Sequence, residues 1–286
     1  MCDELTEQDN RVHLSRRRFA KLSASAALAA FVSTRADARG INENDVVIKT
    51  PDGEADAYFA YPDTPAPAVL IWPDILGLRP AFRAMGKRLA GSGYAVLVVN
   101  PFYRSAKSPV VEEGATFKDE AVRAKVLPMA KALSAETNRT DAKAFVAWLD
   151  AQAAVDTSKK IGTTGYCMGG PMVFRTAAAH PTRIGAGASF HGGGLVQEGD
   201  AESPHLGIPK MKADFLVAVA SNDHERDPKA VPALKAAFEK AALKAEIEVY
   251  EGAMHGWCPP DSAVYNEAQA ERAWSRLLAL LQGALN

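Results

Sequence analysis

Two unbroken apolar runs, Pro67-Ala68-Val69-Leu70-Ile71-Trp72 and Tyr94-Ala95-Val96-Leu97-Val98-Val99, flank a helix-like stretch at residues 80–90. A strand with one wet face alternates apolar and polar residues, so a run without alternation must be covered on both faces. Two such strands joined through a helix are expected to lie parallel, because a parallel pair needs a crossover connection. The pattern continues along the chain. Further strands are expected at residues 160–164, 186–190, 215–220 and 246–250, and a hairpin at residues 45–61. Helices are expected at residues 119–133, 140–153, 229–242 and 262–281, with one more running from about residue 169 to 180. The expected fold class is therefore α/β, a mostly parallel central sheet with helices on both faces. Ligands in such sheets sit beyond the carboxyl ends of the strands, so the loops that follow strands are the ones to read for chemistry.

Composition sets the outer bounds. The 286 residues, 48% of them hydrophobic, suffice for one large core. A net charge of −1 gives no basic excess, so no nucleic-acid partner is expected. After the first 38 residues no apolar run reaches the length of about 18 residues that a membrane span needs, so no stable span is expected in the remainder.

Those first 38 residues have a different character. Arg16-Arg17-Arg18-Phe19-Ala20-Lys21 precedes an alanine-rich stretch from Leu22 to Val32, and Ala36 and Ala38 are small residues suited to a signal peptidase. Paired arginines with this spacing to Phe and Lys match a twin-arginine export signal. The expected organisation is a leader at 1–38 and one catalytic domain at 39–286. The expected destination is the periplasm, with the twin-arginine export machinery as the leader's partner.

The loop after the strand at residues 160–164 reads Gly165-Tyr166-Cys167-Met168-Gly169-Gly170. This is G-x-S-x-G, the nucleophile elbow of the α/β-hydrolase fold, with cysteine in the serine position. The strand-to-helix turn is so tight that side chains at the flanking glycines would strike backbone. The turn places Cys167 at a helix head, where thiolate is favoured over thiol. The backbone N–H of Met168 is the candidate oxyanion donor. Partners are expected in the order nucleophile, acid, base. Asp223 follows the strand at 215–220, and His255 follows the strand at 246–250 within Gly252-Ala253-Met254-His255-Gly256-Trp257. Neighbouring Asp227 reads as a helix cap. In this arrangement His255 takes the thiol proton, Asp223 holds its tautomer, and Cys167 attacks an activated carbonyl to give an acyl-thioenzyme that water releases. His191, ahead of Gly192-Gly193-Gly194, is a candidate pocket residue or part of a flexible loop, whereas His205 and His224 read as surface residues. Outside the leader the cysteines are Cys167 and Cys258. No paired C-x-x-C or H-E-x-x-H spacing points to a metal, and no cofactor is expected.

Taken with Trp72-Pro73-Asp74-Ile75-Leu76-Gly77, the elbow, the Asp223 loop and Met254-His255-Gly256 resemble the dienelactone hydrolase (carboxymethylenebutenolidase-like) family over roughly residues 46–281. The resemblance implies a carboxylate after the first core strand that contacts the resting cysteine, here Asp74 in place of the usual glutamate. It also implies a second oxyanion N–H from Ile75 and a substrate-binding arginine ahead of the elbow, here Arg123. A second arginine expected after the base histidine is missing. Trp257 and Cys258 stand in its place and suggest a more apolar pocket, so the expected substrate is a small ester or lactone rather than dienelactone itself. Two other readings share the scaffold. One is a non-catalytic or redox-sensing protein with a Cys167–Cys258 disulfide. The other is a thioesterase or acyl transferase using the same triad.

Overall fold

The computed structural model describes residues 40–285. The expected leader at 1–38 lies outside the described residues. Eight strands form one sheet: β1 (Ile41–Thr50), β2 (Gly53–Pro62), β3 (Ala68–Trp72), β4 (Ala95–Val99), β5 (Ile161–Tyr166), β6 (Ile184–Phe190), β7 (Asp214–Ala220) and β8 (Ala245–Tyr250). Their spatial order is β1-β2-β4-β3-β5-β6-β7-β8. The first two strands are antiparallel to each other, and β2 is antiparallel to β4. Every pairing from β4 through β3 to β8 is parallel, as the unalternated apolar runs require.

Alternation along each strand divides the core between two faces. Leu70 and Trp72 of β3 join one apolar layer with Leu97, Phe145, Val173, Phe215 and Phe238. Val69 and Ile71 point the other way, toward Phe82, Leu89, Val96, Leu277 and Leu281. The first layer lies under the helices α3 (Ala135–Asp150), α4 (Gly169–Ala179) and α6 (Ala230–Lys240). The second lies under α1 (Pro80–Gly91) and α7 (Glu267–Ala284). The helix α2 (Glu120–Lys131) belongs to neither layer. Its buried Val126 joins Ile75, Phe102, Val110 and Val111 in a third cluster, which contains the loops after β3 and β4.

Several boundaries differ from the sequence reading. β1 starts at Ile41 because its first residues, Asn42, Glu43 and Asn44, lie on an edge strand that needs no apolar pattern. α3 begins five residues before the expected start. Ser134 accepts from the Thr137 backbone N–H and Thr137 returns a bond to the Ser134 N–H, a capping box with Thr in the position where Glu or Gln is usual. α7 begins at Glu267 instead of residue 262, capped by Asn266, whose side chain accepts from the Gln269 N–H. The residues released from that helix form a loop over the end of the sheet. Asp223 is carried by a short helix, α5 (Ser221–Arg226), rather than by an open loop.

Candidate active site

β5 runs directly into α4 through Cys167, whose φ of 52° is in the left-handed region. A non-glycine residue pays of order 1–3 kcal/mol for that conformation, and such residues cluster at functional sites. The glycines explain how the turn closes. A Cβ on Gly165 would sit 2.2 Å from the Gly169 carbonyl oxygen, and one on Gly169 would sit 2.2 Å from the Trp72 carbonyl oxygen. The turn is pinned to the neighbouring strand by the Cys167 N–H, which donates to the Phe190 carbonyl at 3.0 Å. Cys167 is almost fully buried and lines a narrow cavity of about 80 Å³ together with His255 and His191.

His255 is placed by two neighbours on α5. Its backbone N–H donates to the Asn222 side-chain oxygen at 2.8 Å, and its Nδ1 lies 2.7 Å from Asp223 Oδ2. The loop between β8 and His255 is tied to the same helix. The Ser221 N–H donates to the Ala253 carbonyl at 2.9 Å, and the Ser221 hydroxyl donates to the Tyr250 carbonyl at 3.0 Å. Burial pushes the Asp223 carboxyl up, but the charge and hydrogen bond of His255 outweigh it and leave the acid below its ordinary value. An ionised Asp223 therefore faces Nδ1, which assigns proton exchange with a nucleophile to Nε2. The structure thus brings Cys167 and His255 to one cavity and seats Asp223 behind the histidine.

The two expected oxyanion donors come from the loop after β3 and the head of α4. Ile75 lines the cavity, and Met168 follows Cys167 at the head of α4. Among the described residues, neither backbone N–H donates to a protein acceptor.

Other expected residues are placed differently. Asp74 faces the cavity, but its carboxylate accepts from Arg79 at 2.7 and 3.0 Å and from the Leu76 N–H at 2.9 Å. No hydrogen bond joins it to Cys167 among the described residues. Arg123 lies off the cavity wall. Its guanidinium donates to the carbonyls of Phe117 and Lys118 at 3.0 and 2.6 Å, bracing a loop that does line the cavity. Trp257 is fully buried and stands behind His191, with ring centroids 5.0 Å apart, rather than on the wall. Cys258 is a free cysteine in a separate cavity, beside Tyr166, Phe190 and Trp274. The Cys167–Cys258 disulfide of the redox reading is therefore not formed. Among the described residues there is no cluster of His, Cys, Asp and Glu fit for a metal, and no helix long and apolar enough to cross a membrane.

Two wall residues escaped the sequence reading. Arg79 comes two residues after the Trp72–Gly77 motif and lies within reach of Asp74 across a turn, so its spacing was a readable signal. Asp261 binds the other side of Arg79 from 182 positions along the chain, and nothing local announces it.

This architecture is that of the α/β-hydrolases, and the family model of the dienelactone hydrolases matches residues 55–285. The chain belongs to the dienelactone hydrolase family. Two relatives carry the name "Putative carboxymethylenebutenolidase". The protein from Saccharolobus solfataricus is 24% identical over 265 residues, covering 84% of this chain and 98% of its own length. The protein from Methylorubrum extorquens is 28% identical over 255 residues, covering 87% and 84%. A crystal structure of a "Putative Dienelactone Hydrolase" from Klebsiella pneumoniae superposes with a TM-score of 0.73 at 24% identity, covering 85% of this chain and 99% of that one. The family match thus spans nearly all the described residues.

Proposed function

We propose that the protein hydrolyses small ester or lactone bonds by nucleophilic catalysis, with Cys167 as nucleophile, His255 as base and Asp223 as the acid that orients it. The observation that carries this reading is the His255–Asp223 bond of 2.7 Å at a cavity that His255 shares with the left-handed Cys167. His255 takes the Sγ proton as sulfur attacks the carbonyl, and the oxyanion receives hydrogen bonds from the Ile75 and Met168 N–H groups. Collapse of the tetrahedral intermediate expels the alcohol, which takes the proton from His255 and leaves an acyl-thioenzyme. Water, deprotonated by His255, then releases the acid and restores the thiol. The narrow cavity favours small substrates.

The test is hydrolysis of p-nitrophenyl acetate by the parent protein and by Cys167→Ala. Loss of turnover in a variant with unchanged circular dichroism and melting temperature is expected. Full activity in that variant would reject the nucleophile.

Export through the twin-arginine pathway belongs to the same proposal and rests on Arg16, Arg17, Phe19 and Lys21. Replacing both arginines by lysine is expected to hold the protein in the cytoplasm. Unchanged appearance in the periplasmic fraction would remove this part of the reading.

A further inference from the structure

His191 ends β6 with three features that rarely coincide in a residue that only packs. Its φ is 41°, a left-handed conformation that costs a side-chain-bearing residue of order 1 kcal/mol. Its ring is fully buried between His255, Trp257 and Tyr166, at centroid distances of 5.2, 5.0 and 6.1 Å. Neither Nδ1 nor Nε2 has a hydrogen-bond partner among the described residues. An orphaned buried polar group costs about 1–3 kcal/mol, a penalty that phenylalanine in the same space would avoid. The backbone is held in place by the His191 N–H, which donates to the Ala218 carbonyl at 2.8 Å.

The residue lines the cavity that contains Cys167 and His255. The other buried polar side chains of that wall are spoken for. All three guanidinium nitrogens of Arg79 donate to Asp74, Asp261 or the Gly77 carbonyl, and His255 is bound to Asp223. Among the described lining residues, His191 is the buried side chain whose polar atoms have no protein partner. Burial first, and the neighbouring His255 second, hold its pKa well below the ordinary histidine value, so the ring stays neutral. A neutral imidazole presents one donor and one acceptor. That pair suits a hydroxyl group, which also gives and accepts, better than a carboxylate, which can only accept.

We propose that His191 is a substrate-binding residue whose imidazole hydrogen-bonds a hydroxyl group next to the scissile carbonyl, so that the preferred substrates are small hydroxylated esters or lactones. The inference rests on the hydrolase reading for its substrate class. A binding site with a committed hydrogen-bonding group discriminates against the analogue that lacks the partner, because the buried polar atom is then left unpaired.

The probes are α-hydroxy-γ-butyrolactone and γ-butyrolactone, which differ by one hydroxyl. In the parent protein kcat/KM is expected to favour the hydroxylated lactone by about tenfold. His191→Phe is expected to bring the ratio near one, chiefly by raising KM for the hydroxylated lactone, and His191→Asn to restore part of it. A parent ratio near one, or an unchanged ratio in His191→Phe, overturns the proposal. A second measurement does not depend on turnover or on the folding of the His191 variants. In 15N-histidine-labelled Cys167→Ala protein, the His191 ring nitrogens are expected to shift on titration with the hydroxylated lactone and not with the other. Equal response to both, or to neither, also overturns it. Should Cys167→Ala retain full esterase activity, the nucleophile assignment fails while this titration still decides the role of His191.

Discussion

Arg79 grips Asp74 through two parallel hydrogen bonds, Nη1 to Oδ1 at 2.7 Å and Nη2 to Oδ2 at 3.0 Å. Its far side holds Asp261, with Nε to Oδ2 at 2.7 Å and Nη2 to Oδ1 at 3.0 Å. One buried guanidinium thereby joins the loop after β3 to the loop after β8, both of which line the cavity. The loop freed by the late start of α7 is the one fastened here.

Arg79→Met is expected to destabilise the protein by about 3 kcal/mol. It leaves Asp74 buried without a counterion, and breaking a buried pair from one side costs about 3–5 kcal/mol. The lower figure applies because Asp261 is partly exposed and can regain water. Arg79→Lys is expected to recover little, since one ammonium cannot serve two carboxylates in a fork. Urea denaturation measures both. A stability for Arg79→Met equal to the parent's would mean that the clasp contributes nothing.

Asp223→Asn replaces the acceptor of His255 Nδ1 with a side chain that can present N–H to it, favouring the wrong tautomer. A fall in kcat of about a thousandfold or more is expected, with little change in melting temperature. Steady-state kinetics with p-nitrophenyl acetate checks this, and a loss confined to KM would argue against an orienting role.

Arg123 distinguishes a brace from a ligand-binding cation. Its Nη1 donates to both the Phe117 and Lys118 carbonyls, so Arg123→Ala is expected to loosen the 115–118 wall. KM should then rise several-fold for neutral and anionic esters alike. A penalty restricted to anionic substrates would show instead that the guanidinium reaches a substrate carboxylate.

What was legible in the sequence follows a physical division. The parallel strands could be read because burial on both faces leaves no alternation, as in Val69-Leu70-Ile71-Trp72. The elbow could be read because its glycines answer a local clash at Gly165 and Gly169. Asp223 and His255 stood out because each follows a strand in a fixed chain order. The walls of the cavity were harder. Arg79 lies five positions from Asp74, but Asp261, which holds the other side of the guanidinium, is 182 positions from Arg79 and leaves no local mark. Trp257 looked like a pocket residue because it stands where the resemblance implies a second arginine, but Gly256, with φ of 99°, turns the chain and the indole is buried in the core. The strain and the orphaned nitrogens of His191 are properties of three-dimensional surroundings alone.

His191 also sets an expectation for stability against pH. Its folded pKa is depressed, by burial and then by the neighbouring His255, against a partial opposing pull from Asp223. Among the described residues, the groups facing it are His255, Asp223 behind that ring, and the uncharged rings of Trp257 and Tyr166. Between the depressed folded value and the unfolded value of about 6.5, the unfolded chain binds a proton that folded His191 refuses. Stability is therefore fully present above about pH 6.5 and declines as pH falls through that range, by up to about 1.4 kcal/mol per pH unit for this one proton. His180, whose pKa is likewise lowered by burial, adds a decline of the same sign. Urea denaturation of the parent and His191→Phe proteins at several pH values between about 4 and 7 should give a shallower slope for the variant, with the His180 contribution remaining. Identical slopes would mean that the folded protein accepts a proton at His191 as readily as the unfolded chain does, and the neutral hydrogen-bonding role drawn for its ring would lose its basis.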